Sequence, residues 1–445
     1  MRALLFNLIV EQYVNIGIRR EDKNQWEGRV PLIPEHIEEL TDQNDLQVYI
    51  QPSDIRAYSD EEYKKAGAIV QEDLSPCELI MAVKEIPVDF FEKNKTYMFF
   101  SHTIKGQDYN IPIIKKMSQL QDTLIDYETI TNEKGRRLIF FGRFAGLAGM
   151  MDSFWALKSR CEKEGIDLPF EDFRPTLEYN SLRKARKHYK KIGEQIKEHG
   201  FPDTISPVVV GISGYGNVSH GAQEILNLLP HEEIKASDLK EFVESGDYSN
   251  HKVYKVVFKE EDMVQKKGNN GPFKLADYFQ HPEKYESQFA QYLPYLTVLI
   301  NAIYWDDRYP RLITKQDTKK LYSGSAKLKV IGDISCDIEG AIEPTVKITD
   351  PGNPVFVYDT EKDQAVDGFE GNGPTILAVD NLPCEISRDS SRAFSDALMD
   401  LLPEIIDCEF ESDFENLDIT HSIKKAIILY QGQLTPHYYY LNQYL

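Results

Sequence analysis

The chain has little that would suit a membrane, a disulfide framework or a cysteine-based metal site. Its longest apolar stretches, such as "PVVVGI" and "LTVLINAIYW", have the length of a buried strand and are too short to cross a bilayer. Cysteine is scarce, and the 5 cysteines form no CxxC pair and no spacing typical of metal ligands. Scattered cysteines in a large chain indicate a reducing compartment, so we expect a cytoplasmic protein without a metal. They are Cys77, Cys161, Cys336, Cys384 and Cys408.

Basic residues are also in deficit. The 445 residues include 51 lysines and arginines against 72 aspartates and glutamates, for a formal net charge of −21. This balance argues against nucleic acid as a partner. It says little about an anionic cofactor, because local basic residues decide that. The N-terminal "MRALLFNLIV" has one arginine and no small-residue cleavage site, and Glu11 follows directly, so we expect no signal peptide here.

What the chain does have is an alternation of strand-like and helical stretches over residues 16–140, which predicts a parallel sheet flanked by helices. A long helix rich in small residues then leads to a second domain, which contains a strand, a glycine-rich turn and a helix in succession. The polar, acidic stretch 238–290 is interpreted as an insertion. We expect an α/β protein with two Rossmann-like lobes and a cleft between them. The substrate domain would comprise residues 1–140 and 346–445, and the dinucleotide-binding domain residues 141–345.

Local signals place individual elements of the first domain. Pro34 is expected to open one helix, and Ser59 to cap another. A further strand is expected directly after Arg137.

Two apolar runs of this domain each end on an ionisable residue. "ELIMAVKEIP" reaches Lys84, and "TYMFFSHTIKGQ" reaches His102, 18 residues later. In open α/β sheets ligands bind outside the carboxyl ends of strands. A lysine and a histidine at such ends can manage protons around a carbonyl or imine carbon. The alternative is that both are ordinary strand-end side chains facing solvent.

The segment "VVVGISGYGNVSHGAQEIL" resembles a dinucleotide-binding turn. Gly214 would make the tight turn, and Gly216 would let the backbone approach a pyrophosphate. The next helix would offer free N–H groups at its first residues, Asn217 and Val218. The third fingerprint position is Ser219, which is small enough for close packing and carries a hydroxyl that could donate to a phosphate. A plain strand–helix turn is the alternative.

The next strand end bears on the form of the cofactor. An acid about 20 residues after the glycines would bind the ribose 2′-hydroxyl, and "HEEIKASDL" offers Asp238 for that role. Lys235 in the same segment would suit a 2′-phosphate instead. We expect NADP(H), with NAD(H) as the alternative.

Charged residues cluster around the predicted strand ends of the first domain. "IGIRREDKNQWEGRVPLIP" carries Arg19 and Arg29, and "LIDYETITNEKGRRLIFFG" carries Glu128 and Arg137. Guanidinium groups bind carboxylates through paired hydrogen bonds, so several such arginines indicate a substrate with more than one carboxylate. A solvated charged face is the alternative. Glu128 near Lys84 would favour the charged amine, whereas burial would favour the neutral one.

The ordered segments of the chain also resemble a known family. The chain looks like the lysine–2-oxoglutarate reductase half of aminoadipic semialdehyde synthase, within the wider group of lysine-forming saccharopine dehydrogenases, alanine dehydrogenases and transhydrogenases. The matching segments, in family order from about residue 16 to 400, are "RREDKNQWEGRVPLIPEHI", "FFSHTIKGQ", "LIDYE", "FGRFAGLAGM", "GYGNVSHGAQEI", "PYLTVLINAIYWDDRYPRLIT", "DISCDIEGAIE" and "AVDNLP".

The resemblance implies a reaction and assigns residues to it. The family condenses the ε-amine of lysine with the ketone of 2-oxoglutarate and reduces the imine with nicotinamide hydride to saccharopine, or runs the reverse. The implied acid–base residues, with an acid beside the lysine, are Lys84, His102 and Glu128. The implied carboxylate-binding residues are Arg19 and Arg137, with Arg29 as a further candidate. The implied loops bordering the nicotinamide carry Asn301, Ile303, Asp333 and Asp337.

Other interpretations stay open at this point. An amino-acid dehydrogenase that works with ammonia would need fewer arginines, and a non-catalytic nucleotide-binding relative would have a broken site. Because no saccharopine-cleaving domain follows, we expect a stand-alone reductase or one that works with a separate protein. The long helix is apolar over much of its circumference, so it is buried either between lobes or against another subunit, which would make a homo-oligomer.

Overall fold

Two compact units make up the protein. The computed structural model describes residues 14–43, 46–179, 181–269, 271–410 and 412–445. The first unit comprises the described residues up to Phe140 together with Ser387–Leu445, and the second comprises Phe141–Ile386. The N-terminal segment for which we expect no signal peptide, residues 1–10, lies outside the described residues. Within the described part of the chain, no helix combines the length and hydropathy that crossing a bilayer requires.

The first unit begins with alternating strands and helices, as the sequence predicts. Pro34 opens the first helix, and Ser59 caps the second. The Ser59 hydroxyl accepts from the Glu62 amide at 3.3 Å, and the Glu62 carboxylate accepts from the Ser59 amide at 2.8 Å, so two helix-end donors are satisfied. The elements are β1 (Val14–Ile18), α1 (Pro34–Gln43), β2 (Leu46–Ile50), α2 (Asp60–Lys65), β3 (Ile69–Val70), β4 (Leu79–Met81), β5 (Thr96–Phe99), α3 (Ile111–Leu120) and β6 (Thr123–Asp126).

The second unit contains the long helix and the second sheet. Its elements are α4 (Gly142–Lys163), α5 (Leu182–His199), β7 (Val208–Ser213), α6 (Asn217–Leu226), β8 (His231–Glu233), α7 (Leu239–Ser245), β9 (Val253–Phe258), α8 (Glu260–Met263), β10 (Val264–Lys266), α9 (Leu275–Gln280), β11 (Tyr285–Ser287), β12 (Val298–Asn301), α10 (Lys315–Tyr322), β13 (Val330–Asp333), β14 (Val355–Asp359), β15 (Gln364–Asp367) and β16 (Thr375–Leu377).

The chain then returns to the first unit. The returning elements are α11 (Ser387–Met399), α12 (Leu402–Ile406), α13 (His421–Lys424), β17 (Ile427–Tyr430) and β18 (Gln433–Leu434). The strand order of the first sheet, over the described residues, is β18-β17-β6-β5-β4-β1-β2-β3. The strands from β6 to β3 are parallel, and the returning pair joins them antiparallel. Strands β4, β5 and β6 are buried along their whole length, as expected where helices cover both faces.

The second sheet follows the order β15-β14-β16-β13-β12-β7-β9-β8 over the described residues. The strands from β16 to β8 are parallel, and β14 and β15 are antiparallel. Helices α4 and α6 approach very closely. An added Cβ at Gly146 would lie 1.9 Å from the Val218 carbonyl oxygen, and one at Gly221 would lie 2.0 Å from the Arg143 carbonyl oxygen. The predicted fold class, two Rossmann-like α/β units, is confirmed.

Three expectations about organisation differ from the structure. The return to the first unit comes at Ser387 and not at residue 346, because β14–β16 extend the second sheet through long-range pairing. The stretch 238–290 is not merely an insertion, since its β9 is a buried inner strand of that sheet. The segment after Arg137 is a bend rather than a strand, and Leu138 and Phe140 there are partly exposed.

Candidate active site

The loops after four strands of the first sheet meet at one edge. Strands β6, β5, β4 and β1 are consecutive and parallel, so their carboxyl ends lie side by side. Arg19 follows β1, Lys84 follows β4, His102 follows β5 and Glu128 follows β6. The sheet therefore brings together the four loops on which the predicted acid–base and carboxylate-binding residues stand.

The loop that carries Lys84 is held by a buried carboxyl group. Glu21 accepts hydrogen bonds from the backbone N–H groups of Val83, at 2.6 Å, and Lys84, at 3.0 Å. Burial, followed by the charge of Glu27, raises the pKa of Glu21 from 4.5 to about 7, against the opposing effect of the two backbone donors and Arg19. The Glu21 side chain thus fixes the backbone from which the Lys84 side chain extends.

A carboxylate bridges His102 and Lys23. The Nδ1 atom of His102 lies 2.7 Å from Glu85 Oε1, and Lys23 Nζ donates to the two oxygens of Glu85 at 3.2 and 3.1 Å. Burial works to raise the pKa of Glu85, but the hydrogen bond and charge of His102, with the charges of Lys84 and Lys23, hold that pKa well below its ordinary value. Glu85 is therefore an ionised acceptor that orients the imidazole ring.

The His102 backbone is held in an uncommon conformation. Its φ is +50°, its carbonyl accepts from Asn110 Nδ2 at 3.0 Å, and its ring stacks on Phe100 with 6.2 Å between centroids. The side chain remains about one-third exposed. This combination of a fixed ring and partial exposure suits a group that exchanges protons with a ligand.

Glu128 follows a second buried carboxyl group. Asp126 accepts from the amides of Ser101, at 3.1 Å, and Glu128, at 2.8 Å, and burial raises its pKa to about 6. The Glu128 side chain forms an ion pair with Arg137, and about half of the Arg137 side chain is exposed. The structure therefore pairs these two predicted site residues with each other.

The two remaining arginines differ in their partners. Arg19 is 5% exposed, pairs with Asp22 and lies 5.0 Å from the ring centroid of Phe90, and its Nε finds no hydrogen-bond acceptor among the described residues. Arg29 donates to the fully buried Glu27 at 2.7 and 2.6 Å and is itself 3% exposed. Arg29 therefore supports the loop from within, and its role toward a substrate stays a prediction.

The glycine-rich turn of the second unit has the geometry of a dinucleotide cradle. Gly214 has φ +87°, where a side chain is disfavoured, and a Cβ there would lie 3.1 Å from the Ala302 carbonyl oxygen. Gly216 caps α6, and a Cβ added to it would meet no atom of the described residues within 4 Å. The first turn of α6 follows directly; it begins with Asn217 and Val218 and has free amide N–H groups by its geometry. This turn fits the pyrophosphate of a nicotinamide dinucleotide.

Ser219 has a packing role in this turn. It is fully buried, and its hydroxyl accepts from Gln223 Nε2 at 3.0 Å. Donation of this hydroxyl to a phosphate stays a prediction. Its small size, in contrast, suits the close contact of α6 with α4.

The residues predicted to border the nicotinamide form a buried tie across strand ends. Ser213 Oγ donates to Asn301 Oδ1 at 2.9 Å, and Asn301 Nδ2 donates to Asp333 Oδ1 at 2.8 Å. Thr345 donates to the other oxygen of Asp333, whose pKa burial raises to about 6. Ile303 is half-buried, with its Cγ2 3.1 Å from an ideal Cβ on Gly214.

The other predicted nucleotide residues lie further away or on the surface. Asp337 is exposed. Lys235 and Asp238 are exposed and follow β8, which is the edge strand, whereas β9 occupies the place next to β7. They do follow the next strand along the chain, as predicted, but β9 separates that strand from β7, and their role toward the cofactor stays a prediction.

Sequence reasoning missed two acidic residues. Glu21 and Glu85 each stand beside a basic residue in the sequence, which is the usual appearance of a solvated charge. A signal was nevertheless present for Glu85, since it directly follows Lys84 at the end of an apolar run. Among the described residues, no group of His, Cys, Asp and Glu side chains is arranged to hold a metal ion.

Comparisons with known proteins agree with this geometry. Residues 17–148 match the family described as alanine dehydrogenase/PNT, N-terminal domain, and residues 236–437 match alanine dehydrogenase/PNT, C-terminal domain. The chain is similar to alpha-aminoadipic semialdehyde synthase of Arabidopsis thaliana, with 35% identity over 96% of this chain and 41% of that protein. The mitochondrial protein of the same name from Bos taurus is also 35% identical, over 96% of this chain and 47% of that protein. The chain thus spans less than half the length of these curated relatives.

The chain covers almost the full length of a shorter relative. The saccharopine dehydrogenase [NAD(+), L-lysine-forming] of Emericella nidulans is 26% identical over 88% of this chain and 92% of that protein. Among solved structures, an L-alanine dehydrogenase matches with a TM-score of 0.61 and 17% identity over 97% of this chain and 99% of that chain. The transhydrogenase from Sinorhizobium meliloti matches with a TM-score of 0.58 and 15% identity, and the match covers 95% of this chain and 100% of that chain. These two likenesses show the fold.

Proposed function

Because the chain belongs to the alanine dehydrogenase/PNT family and is homologous to alpha-aminoadipic semialdehyde synthase, we propose that it is a nicotinamide-dependent lysine–2-oxoglutarate reductase. The proposed reaction condenses the ε-amine of lysine with the ketone of 2-oxoglutarate and reduces the imine to saccharopine, or runs in reverse. The observation that carries this proposal is the meeting of the Arg19, Lys84 and His102 loops at one edge of the first sheet.

The chemistry of the proposed reaction requires repeated proton transfers. The amine nitrogen adds to the ketone carbon and loses two protons in turn, the oxygen gains two, and it leaves as water to give the imine. Lys84 and His102 stand at adjacent strand ends, where general acids and bases would deliver and remove these protons. The bound dinucleotide would supply the hydride that reduces the imine carbon.

Carboxylate groups of the substrates need cationic partners. Arg19 offers a largely buried guanidinium with an Nε that finds no acceptor among the described residues. Arg137 is more exposed and is held by Glu128, so it can exchange that partner for a substrate carboxylate. Two such cations suit substrates that carry more than one carboxylate.

The first test is an assay of dinucleotide oxidation with lysine and 2-oxoglutarate present together and with each omitted in turn. Turnover that requires both supports the proposal. Turnover with ammonia in place of lysine would instead indicate an amino-acid dehydrogenase. Dinucleotide binding without turnover on any of these substrates would indicate a non-catalytic relative.

The second test removes the proposed acid–base groups. Lys84→Met and His102→Gln are each expected to lower kcat by roughly 10²–10⁴-fold, the usual contribution of general acid–base catalysis. Lys93→Met is the matched control, since Lys93 is an exposed lysine of the same unit. Normal turnover in both site variants would contradict the assignment.

A further inference from the structure

The loop that follows His102 begins with a tight turn. The Gly106 amide donates to the Thr103 carbonyl at 2.9 Å, which closes a β-turn over residues 103–106. The last residue of this turn, Gly106, has φ +63°, where a side chain is disfavoured. Because the turn starts directly after His102, a movement of the turn also moves the His102 backbone.

Residues of the same loop hold the turn at its two ends. The Thr103 amide donates to Ser101 Oγ at 3.3 Å, and the hydroxyl oxygens of the two residues lie 2.7 Å apart. Asn110, at the far end of the loop, donates to the His102 carbonyl. The carbonyl of Ile104 is in the middle of the turn, and the hydrogen bond that closes the turn uses the Thr103 carbonyl instead.

A distant segment of the chain supplies a donor for the Ile104 carbonyl. The phenolic hydroxyl of Tyr440 donates to this carbonyl at 2.7 Å, across 336 positions of sequence. Tyr440 lies on a 3₁₀ helix at Pro436–Tyr444. Burial raises the pKa of Tyr440 above its ordinary value, so the phenol keeps the proton that it donates. The middle of the turn is thus tied to a part of the first unit that lies far away in sequence.

The 3₁₀ helix that carries Tyr440 is itself packed firmly. Its residues Tyr438 and Leu441 are 6% and 0% exposed and belong to the hydrophobic core of the first unit. The Tyr444 ring of the same helix lies against the glycine of the turn, since a Cβ added at Gly106 would lie 2.6 Å from the Tyr444 hydroxyl oxygen. The helix therefore presents Tyr440 and Tyr444 to the turn from a buried base.

We infer that Tyr440 is a positioning residue for His102. Glu85 orients the imidazole ring, and Tyr440 holds the turn to which the His102 backbone is joined. A general acid or base must stay within hydrogen-bond reach of the atom that it serves, and a displacement of about 1 Å can lower a rate by about 100-fold. The inference rests on the proposed function, in which His102 transfers protons. The alternative is a tie that stabilises the fold without affecting His102.

Tyr440→Phe is the deciding variant, because it keeps the ring and removes the hydroxyl. Loss of one hydrogen bond should raise the population of the opened turn about 5-fold. Hydrogen exchange followed by mass spectrometry should show a matching loss of protection in the peptide that contains residues 103–106. Tyr439→Phe is the matched control, since Tyr439 is on the same helix and its side chain is 57% exposed. Equal protection in Tyr440→Phe and the wild type would overturn the inference.

Steady-state kinetics with lysine and 2-oxoglutarate show whether the tie acts on catalysis. Tyr440→Phe should lower kcat by roughly 5–10-fold, because His102 then spends less time in the productive position. The KM for the dinucleotide should stay unchanged, since the glycine-rich turn belongs to the second unit. Tyr439→Phe should match the wild type in both constants. A wild-type kcat in Tyr440→Phe would contradict the positioning role and leave only a structural tie.

A double variant tests whether the tie acts through His102. Tyr440→Phe combined with His102→Gln should turn over as slowly as His102→Gln alone, because the group that the tie positions is already absent. A further loss of the same size as in the single variant would show an independent effect and overturn the inference. If the wild type does not turn over lysine and 2-oxoglutarate, the proposed function fails, whereas a loss of protection in Tyr440→Phe still supports the tie to the turn after His102.

Discussion

Replacing Glu21 by glutamine should abolish the pH dependence of the stability of the loop that carries Lys84. Because the folded protein raises the pKa of Glu21 from 4.5 to about 7, the folded state retains a proton that the unfolded state releases. The stabilisation is complete below pH 4.5 and is lost as the pH rises to about 7. At 1.36 kcal/mol for each pKa unit, the loss amounts to ~3 kcal/mol.

The variant separates this pH effect from the loss of a hydrogen bond. Glutamine can accept from the Val83 amide through its oxygen, while its NH₂ group would oppose the Lys84 amide. That cost of about 1 kcal/mol does not depend on pH. The difference in stability between the wild type and Glu21→Gln should therefore change with pH by the whole ~3 kcal/mol that the ionisation of Glu21 costs.

Hydrogen exchange followed by mass spectrometry measures this change in stability at the loop itself. The protection factor of the peptide containing Val83 and Lys84, corrected for intrinsic rates, should fall roughly 100-fold between about pH 5 and about pH 8 in the wild type and stay level in the variant. Glu39→Gln, on an exposed position of α1, is the matched control. Protection that falls equally in wild type and Glu21→Gln would refute the reasoning.

Other predictions concern the second unit. Gly214→Ala should destabilise the protein by ~1–2 kcal/mol, because φ +87° disfavours a side chain, and chemical unfolding would measure the loss. Gly216→Val should unfold normally yet bind NADH weakly by fluorescence, because its side chain would fill the open cradle, and unimpaired binding would contradict that assignment. Burial raises the pKa values of the neighbouring carboxyls of Asp152 and Glu385, so their ionisation costs stability as the pH rises. Glu385→Gln should therefore show a smaller fall in Tm than the wild type as the pH rises above 4.5, at roughly 2–4 °C for each kcal/mol, and parallel curves would contradict it.

Local patterns predicted the first sheet well. The apolar runs of β1, β4, β5 and β6 are short, and an ionisable residue follows each of them within three positions, which is how a buried parallel strand that ends in a loop appears in sequence. Lys84 and His102 could therefore be placed at strand ends before the sheet was known. What the pattern could not give is which strands are neighbours, and that adjacency is what brings the loops together.

The positions of Lys235 and Asp238 show the same limit of local patterns. Strand β9 reads as part of a polar stretch, because Lys255 interrupts its apolar run. In the structure, Lys255 is 5% exposed and its Nζ reaches Glu233 at 2.9 Å and Gln223 at 3.2 Å. A buried lysine with distant partners has no local signature, so the insertion of β9 beside β7 could not be foreseen.

The close contact of α4 with α6 has a mechanical consequence. Because backbone meets backbone at Gly146 and Gly221, there is no layer of side chains between the helices that could shear or repack. The two helices must then move as one piece. Since α4 begins at Gly142, directly after the chain enters the second unit, a displacement of that entry point would shift the amides at the start of α6, which we propose to bind phosphate, together with α4.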